Sequence, residues 1–98
     1  MVDGRDYNLS LMHAFEVSLN GKRLCVAGVG ERGVLTTMIS WVARDRTADL
    51  SMEVGGLANE EHVKWVRQKK LRVGDEIRVE IVEAASVDDL WRNYRLIR

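Results

Sequence analysis

The chain has 98 residues, of which 46% are apolar and 31% are charged, and its formal net charge is zero. This length supports a single core, and the composition is that of a globular domain rather than a disordered segment. A dedicated nucleic-acid binder usually carries a basic excess that neutralises phosphates, so zero net charge disfavours that role without excluding it.

The beginning of the chain lacks the apolar segment of a signal peptide. We interpret residues 1–12 as a flexible leader before a single small β domain at 13–98. No apolar run approaches the roughly 20 residues that a transmembrane helix needs. The one cysteine, Cys25, has no partner for a disulfide within the chain. These features predict a cytoplasmic protein in a reducing compartment, without membrane association.

Residues 15–26 predict a β-hairpin around the pair Asn20 and Gly21. Both residues tolerate the positive φ that a type I′ turn requires. This turn places Val17 opposite Leu24, in agreement with the apolar alternation of the two strands. The turn and the apolar pattern therefore predict the same register.

The segment after this hairpin, residues 28–33, reads GVGERG and matches the dinucleotide-binding pattern G-x-G-x-x-G. That pattern needs a parallel strand before it and a helix after it, whereas a tight antiparallel hairpin precedes it here. We therefore interpret the segment as a glycine-rich turn and expect no nucleotide cofactor.

Residues 34–43, VLTTMISWVA, fit both a helical stripe and a strand face, since period alone seldom separates short apolar runs. The β-branched and aromatic residues favour a strand, and no N-cap residue precedes the segment. We expect a strand with Trp41 in the core. A charged turn at 43–49 then leads to a fourth strand over 50–54, which the following pair of glycines ends.

Residues 60–69 lack the alternation of the preceding strands, and their pattern predicts a short helix before the last strand. Asn59 can cap this helix, two glutamates follow it, and two lysines lie at the end, which is the charge order that the helix dipole favours. Trp65 would cover the sheet, with His62 at the rim of the core.

The clearest periodicity lies in residues 71–82, LRVGDEIRVEIV. Ile77, Val79 and Ile81 alternate with charged residues, which is the period of a strand with one buried face. The tail, residues 86–98, fits a helical stripe and an extended segment equally well.

Few residues suggest a catalytic or metal-binding role. Cys25 with His13 or His62 would be a nucleophile and its base, but Cys25 lies in mid-strand, where nothing nearby activates the thiol. These three residues are widely separated and show no metal-ligand spacing. We expect no catalytic site, no metal and no cofactor, and therefore a protein that is not an enzyme.

Charge is distributed unevenly along the second half of the chain. Residues 64–72 contain five basic and no acidic residues, and residues 75–89 contain six acidic residues against one basic. Solvated faces are the commoner reason, but such stretches also form complementary surfaces for a partner or a second copy. With two aromatic residues of the tail, the predicted interaction surface is Lys64, Arg67, Lys69, Lys70, Arg72, Trp91 and Tyr94.

Three segments carry a resemblance: LSMEVGGL at 50–57, EHVKW at 61–65 and LRVGDEI at 71–77. Together they resemble a group of small bacterial proteins of about this length to which no function is assigned. The resemblance covers residues 15–87. It implies a bacterial cytosolic domain and carries over no active site.

The expected fold is mainly β: a small five-stranded antiparallel barrel or two-layer sandwich, with one short helix before the last strand. The expected function is that of a non-enzymatic protein-interaction module, either self-associating or bound to another protein. The alternative is an oligonucleotide- or small-ligand-binding β-barrel, which the basic residues at 64–72 favour. Fold alone does not decide between them.

Overall fold

The computed structural model describes residues 11–89, which form six β-strands. The strands are β1 (Met12–Leu19), β2 (Lys22–Ala27), β3 (Gly33–Arg44), β4 (Thr47–Ala58), β5 (Glu61–Lys70) and β6 (Ile77–Ala84). One antiparallel sheet has the order β2-β1-β6, and the other has the order β3-β4-β5. The predicted mainly β, antiparallel class is confirmed. The predicted five-stranded barrel is wrong, because over residues 11–89 six strands form two separate sheets.

The predicted helix at 60–69 is also wrong, because this segment is strand β5. Asn59 and Glu60 have φ angles of 51° and 70°, and they form the tight turn between β4 and β5 instead of a helix cap. Val63 and Trp65 are both buried, and they lie two residues apart, which is the period of a strand. Pairing with β4 therefore outweighed the local cap and dipole pattern.

The predicted strand at 34–43 is confirmed as β3, but the predicted end of the fourth strand is wrong. Strand β4 runs through Gly55 and Gly56. A Cβ atom on Gly56 would overlap the carbonyl oxygen of Val34, and one on Gly55 would meet that of Val63. The glycines therefore permit a close approach of neighbouring strands instead of ending one.

The predicted turn of the first hairpin is confirmed, but its predicted register is wrong. Asn20 and Gly21 have φ angles of 53° and 85°, as a type I′ turn requires. A β-bulge then shifts the register, so that Val17 lies opposite Cys25 instead of Leu24. The bulge places both Val17 and Cys25 in the core, since one extra residue changes the face that a strand presents.

The turn of this hairpin is bonded to the segment that precedes β6. The side chain of Asn20 donates through Nδ2 to Asp75 Oδ1 and accepts at Oδ1 from the backbone N–H of Glu76, both at 2.9 Å. The Asn20 backbone N–H donates to the Glu76 carbonyl at 2.9 Å. The side-chain bond from Asn20 and the backbone bond from Arg72 hold the pKa of Asp75 below its usual value. Asn20 thus ties the hairpin turn to the segment before β6, at the end of the β1–β6 pair where Leu19 lies opposite Ile77.

The core lies where β2 of one sheet packs against β5 of the other. A clasp at 86–88 joins the sheets there. Trp65 Nε1 donates to the Asp88 carbonyl at 2.8 Å, and Asp88 also forms two hydrogen bonds with Val26. The buried residues of this cluster are Val17, Cys25, Ala27, Met52, Val54, Val63 and Trp65.

The predicted leader and the predicted end of the domain lie partly outside the described residues. Strand β1 begins at Met12, inside the predicted leader, and residues 1–10 lie outside the described part. Residues 86–89 form no helix, and residues 90–98 again lie outside it. Within residues 11–89 there is no helix with the length and apolar character to cross a bilayer.

Candidate interaction site

The basic residues of the predicted surface lie on a strand and a turn, and the strand sends them to both faces of its sheet. Residues directly opposite each other in an antiparallel pair share a face. Lys69 lies opposite Met52, on the inner face that packs against the other sheet, whereas Lys64 and Lys70 lie on the outer face. Arg72 follows in the turn before β6. The predicted surface is therefore not one continuous basic patch.

Two of these basic residues have partners that the sequence did not indicate. Lys64 Nζ lies 2.6 Å from Glu53 Oε1, and both side chains are about a quarter exposed. The backbone of Arg72 closes a turn with Asp75, whose Oδ2 accepts from the Arg72 N–H at 2.7 Å. Arg67 lies in the irregular part of the β4–β5 ladder, and it also interacts with another group of the protein. Trp91 and Tyr94, the remaining members of the predicted surface, lie outside the described residues.

The acidic residues at 75–89 lie on the other sheet and are mostly engaged locally. Glu80 lies 3.6 Å from Arg78 on the same strand, and Glu83 lies 3.9 Å from His13. Asp75 and Asp88 accept the backbone hydrogen bonds described above. The two charged stretches thus lie on edge strands of different sheets.

The environment of Cys25 is unlike that of a nucleophile. The residue is 3% exposed, and burial, together with the nearby charge of Asp88, raises the pKa of its thiol to about 11. A thiol with this pKa stays protonated at neutral pH. The side chain of His13 is 85% exposed and beside Glu83. Within residues 11–89, no three His, Cys, Asp or Glu side chains are grouped so that they could hold a metal ion.

The exposed apolar edge of strand β3 was not predicted from the sequence. The strand lies at an edge of its sheet, because its neighbour among the described strands is β4 alone. Residues 33–43 carry no charge. Trp41, which was predicted to be in the core, is instead 71% exposed. Four further apolar side chains of β3 are between 43% and 56% exposed: Val34, Met38, Ile39 and Val42.

The outer half of the β3–β4 hairpin extends beyond the rest of its sheet. Strand β5 pairs with β4 as far as Ser51, opposite Lys70, and one further bond runs from the Leu71 N–H to the Leu50 carbonyl at 2.9 Å. From Val42 through the turn to Asp49, β3 and β4 pair only with each other among the described strands. We call the outer half of the hairpin, residues 38–50, which includes this part, the arm. An isolated two-stranded hairpin is marginally stable in water, so the arm gains from any further strand that pairs with it.

A shallow groove with a volume of about 290 Å³ runs along the outer face of the same sheet. Val34, Thr36 and Met38 of β3 form one side of it, and Gly55 leaves its floor open. Two of its polar groups are already paired, since Lys64 contacts Glu53 and Thr36 Oγ1 donates to the Gly55 carbonyl at 3.2 Å. The groove is therefore suited to apolar or small side chains of a neighbouring strand better than to a charged ligand.

The other edge strands in the described part of the chain differ from β3, because β5 and β6 carry charges along their lengths and the short strand β2 begins with two basic residues. Charged side chains on an edge disfavour pairing with a further strand, whereas a long, uncharged, apolar edge promotes it. The charged residues of these edges are Lys22 and Arg23 on β2, Glu61, Lys64, Arg67, Lys69 and Lys70 on β5, and Arg78, Glu80 and Glu83 on β6.

Comparisons with protein-family models, with curated proteins and with solved structures found no match to this chain. The resemblance to small bacterial proteins therefore stays a prediction. The geometry of β3 and the arm alone supports a functional interpretation.

Proposed function

We propose that this protein is a non-enzymatic protein-interaction module that binds another protein chain along the edge of β3. The observation that carries this proposal is an edge strand whose residues 33–43 carry no charge and whose exposed apolar side chains lie on both faces. Monomeric soluble proteins rarely leave a long apolar surface open to water, and such surfaces are typical of interaction sites.

Strand addition at an edge combines two sources of affinity. Backbone hydrogen bonds provide most of the contact, and pockets for alternate side chains provide specificity. Strand β3 offers both, because it is an edge strand and because Val34, Thr36 and Met38 form a side of the groove. A strand added to β3 would place every second side chain over that groove.

The alternative function, binding of an oligonucleotide or a small ligand, has weaker support. Phosphate recognition needs several cations on one surface, whereas Lys64 and Lys69 lie on opposite faces and Lys64 already contacts Glu53. Base stacking needs exposed aromatic residues beside such cations. Trp41 is exposed, but it lies on β3, and β4 separates it from the basic strand β5.

Position-specific photo-cross-linking in the native cell tests this proposal. A photoreactive phenylalanine analogue would replace Trp41 in one variant and Ile81 of β6 in the other. The two side chains are equally exposed, at 71% each, and both lie on edge strands. We expect protein adducts from position 41 and few from position 81.

A second substitution separates specific adducts from random ones. Met38→Lys places a charge in the centre of the β3 edge and should remove the adducts formed at position 41, because a charged edge disfavours strand addition. Equal adducts at positions 41 and 81, or adducts that persist with Met38→Lys, would contradict the proposal.

A further inference from the structure

We propose that the strand that pairs with β3 is the β3 strand of a second copy, related by a two-fold axis through Met38. This inference rests on the proposed function and names the partner of the same edge. It follows from the symmetry of antiparallel pairing and from the order of side chains in residues 33–43.

Two-fold symmetry restricts how β3 can pair with itself. The axis of an antiparallel homodimeric pair is perpendicular to the sheet, so it keeps the inner faces of the two copies on the same side. Directly opposite residues must share a face, and therefore the axis passes through a residue that lies opposite its own copy. The central candidates are Thr37, Met38 and Ile39.

The axis through Met38 gives the best match of side chains. Met38 lies opposite itself, and β3 can pair over residues 33–43, eleven residues without a charge. An axis through Ile39 would bring Arg44 into a pairing of the same length, opposite Val34 of the copy, and one through Thr37 would pair only the nine residues 33–41 within β3. The pairs made by the Met38 axis are Gly33 with Ala43, Leu35 with Trp41 and Thr37 with Ile39 on the inner face, and Val34 with Val42 and Thr36 with Ser40 on the outer face.

The same register brings the exposed arm of each copy against the core of the other. Leu35 packs against the core cluster, whereas Trp41, six residues later on the same face, is 71% exposed. Antiparallel pairing about Met38 places Trp41 beside the Leu35 of the second copy. The exposed Trp41 of one copy would thus pack beside Leu35 of the other and extend its core.

The extent of this pairing suits a stable dimer. A paired region of eleven residues forms about ten backbone hydrogen bonds, which is the number that a typical protein interface contains. The two sheets would join into one six-stranded sheet, of the size common in globular domains. Self-pairing along β5 or β6 would instead bring charged side chains into the pairing, and β2 offers only six residues, two of them charged.

Cysteine substitution tests the register directly. In Met38→Cys, the two introduced sulfurs would face each other across a Cα separation of about 4.5–5.5 Å, which a disulfide can bridge. Val34→Cys is the matched control, since Val34 has the same face and nearly the same exposure, at 56% against 54%. In this register, position 34 is eight residues, or roughly 26 Å, from its own copy.

We expect air oxidation to convert Met38→Cys to a disulfide-linked dimer and to leave Val34→Cys as single chains. The native Cys25 should contribute none, because it is buried with a raised pKa. Cross-linking of Val34→Cys as fast as Met38→Cys would overturn the register.

Sedimentation of the unmodified protein tests the partner itself. We expect a species of twice the mass of one chain at micromolar concentration, converted to single chains by Met38→Lys but retained in Ile81→Lys, with circular dichroism showing that each variant is folded. A single chain at all concentrations would overturn the inference that the partner is a second copy. The proposed function would then depend on the photo-cross-linking result, in which a heterologous partner gives adducts of another mass.

Discussion

Two methionines on adjacent strands, Met52 on β4 and Met38 on β3, show how differently the two faces of one sheet are used. They lie one residue apart in the register of the two strands, and Met52 is on the inner face whereas Met38 is on the outer face. Met52 is 1% exposed and belongs to the core that the other sheet covers. Met38 is 54% exposed, at the start of the arm. Both are apolar residues of long strands in the same sheet. Apolar alternation therefore predicts that a face will be covered, but it does not distinguish cover within the chain from cover by a partner.

Strand β3 shows a second contrast, between the two ends of its inner face. Leu35 packs against the core, whereas Ile39 and Trp41, on the same face, are 56% and 71% exposed. The clasp formed by Trp65 and Asp88 closes the core end, and nothing comparable among residues 11–89 closes the arm. The core end maintains the fold, and the arm is available for association.

The largest expected difference between the two faces comes from shortening each methionine. Met52→Ala should lower the free energy of unfolding by about 2–5 kcal/mol, because it leaves a cavity in the core. Met38→Ala should change it by less than about 0.5 kcal/mol when the protein is dilute enough to be a single chain. Urea unfolding of both variants measures this, and equal losses would mean that Met38 is also part of the monomer core.

A second difference concerns alkaline pH, to which the core end should be sensitive. The folded protein holds the Cys25 proton more tightly than the unfolded chain, because burial raises the thiol pKa from 9.0 to about 11. The stabilisation is fully present below pH 9 and is lost as pH rises towards 11, by up to about 2–3 kcal/mol.

The control for this pH dependence is Cys25→Ala, which removes the thiol and leaves every other titratable group in place. The difference in unfolding free energy between the natural protein and the variant should shrink from pH 8.5 to 11. A difference that stays constant over this range would contradict the raised pKa.

The clasp at the core end should have a smaller effect. Asp88 Oδ2 accepts from the Val26 N–H at 2.9 Å. Asp88→Ala removes this acceptor and should cost about 1 kcal/mol, whereas Asp88→Asn keeps an oxygen in place and should cost less. Thermal unfolding of both variants measures the difference. If the two variants are equally destabilised, the hydrogen bond from the Val26 N–H to the Asp88 side chain contributes nothing to stability.

The smallest expected effect belongs to the charged stretch that the sequence singled out. Lys69→Glu combined with Lys70→Glu should leave association unchanged, because the proposed interface at 33–43 contains no charge. Raising salt from 0.1 M to 1 M, which shortens electrostatic reach from about 10 Å to about 3 Å, should not weaken association either. If sedimentation shows dissociation under either condition, the interface lies at the basic residues 64–72 instead of at β3.

The sequence predicted the parts of the fold that depend on local signals. Asn20 and Gly21 form the expected turn, since positive φ is a property of those residues. The strands at 34–43 and 77–82 follow from β-branched residues and alternation. The mainly β class follows from the same signals.

The remainder depended on contacts between distant residues. Asn59 and Glu60 suit a helix start as well as a turn, and only the pairing of β5 with β4 decides between them. The bulge that places Val17 opposite Cys25 leaves no local trace in the sequence. The uncharged run at 33–43 was visible, but its position at the edge of a sheet is a property of the fold. Trp41 was therefore assigned to the core.

Hydrogen exchange at two protein concentrations, read by mass spectrometry of short peptides, tests most directly whether β3 is the associating edge. We predict that residues 33–44 exchange more slowly when the protein is concentrated, because backbone N–H groups at an unpaired edge become hydrogen-bonded on strand addition. Residues 61–72 should exchange equally at both concentrations. Slower exchange confined to 61–72, or no change at 33–44 on concentration, would contradict association through β3.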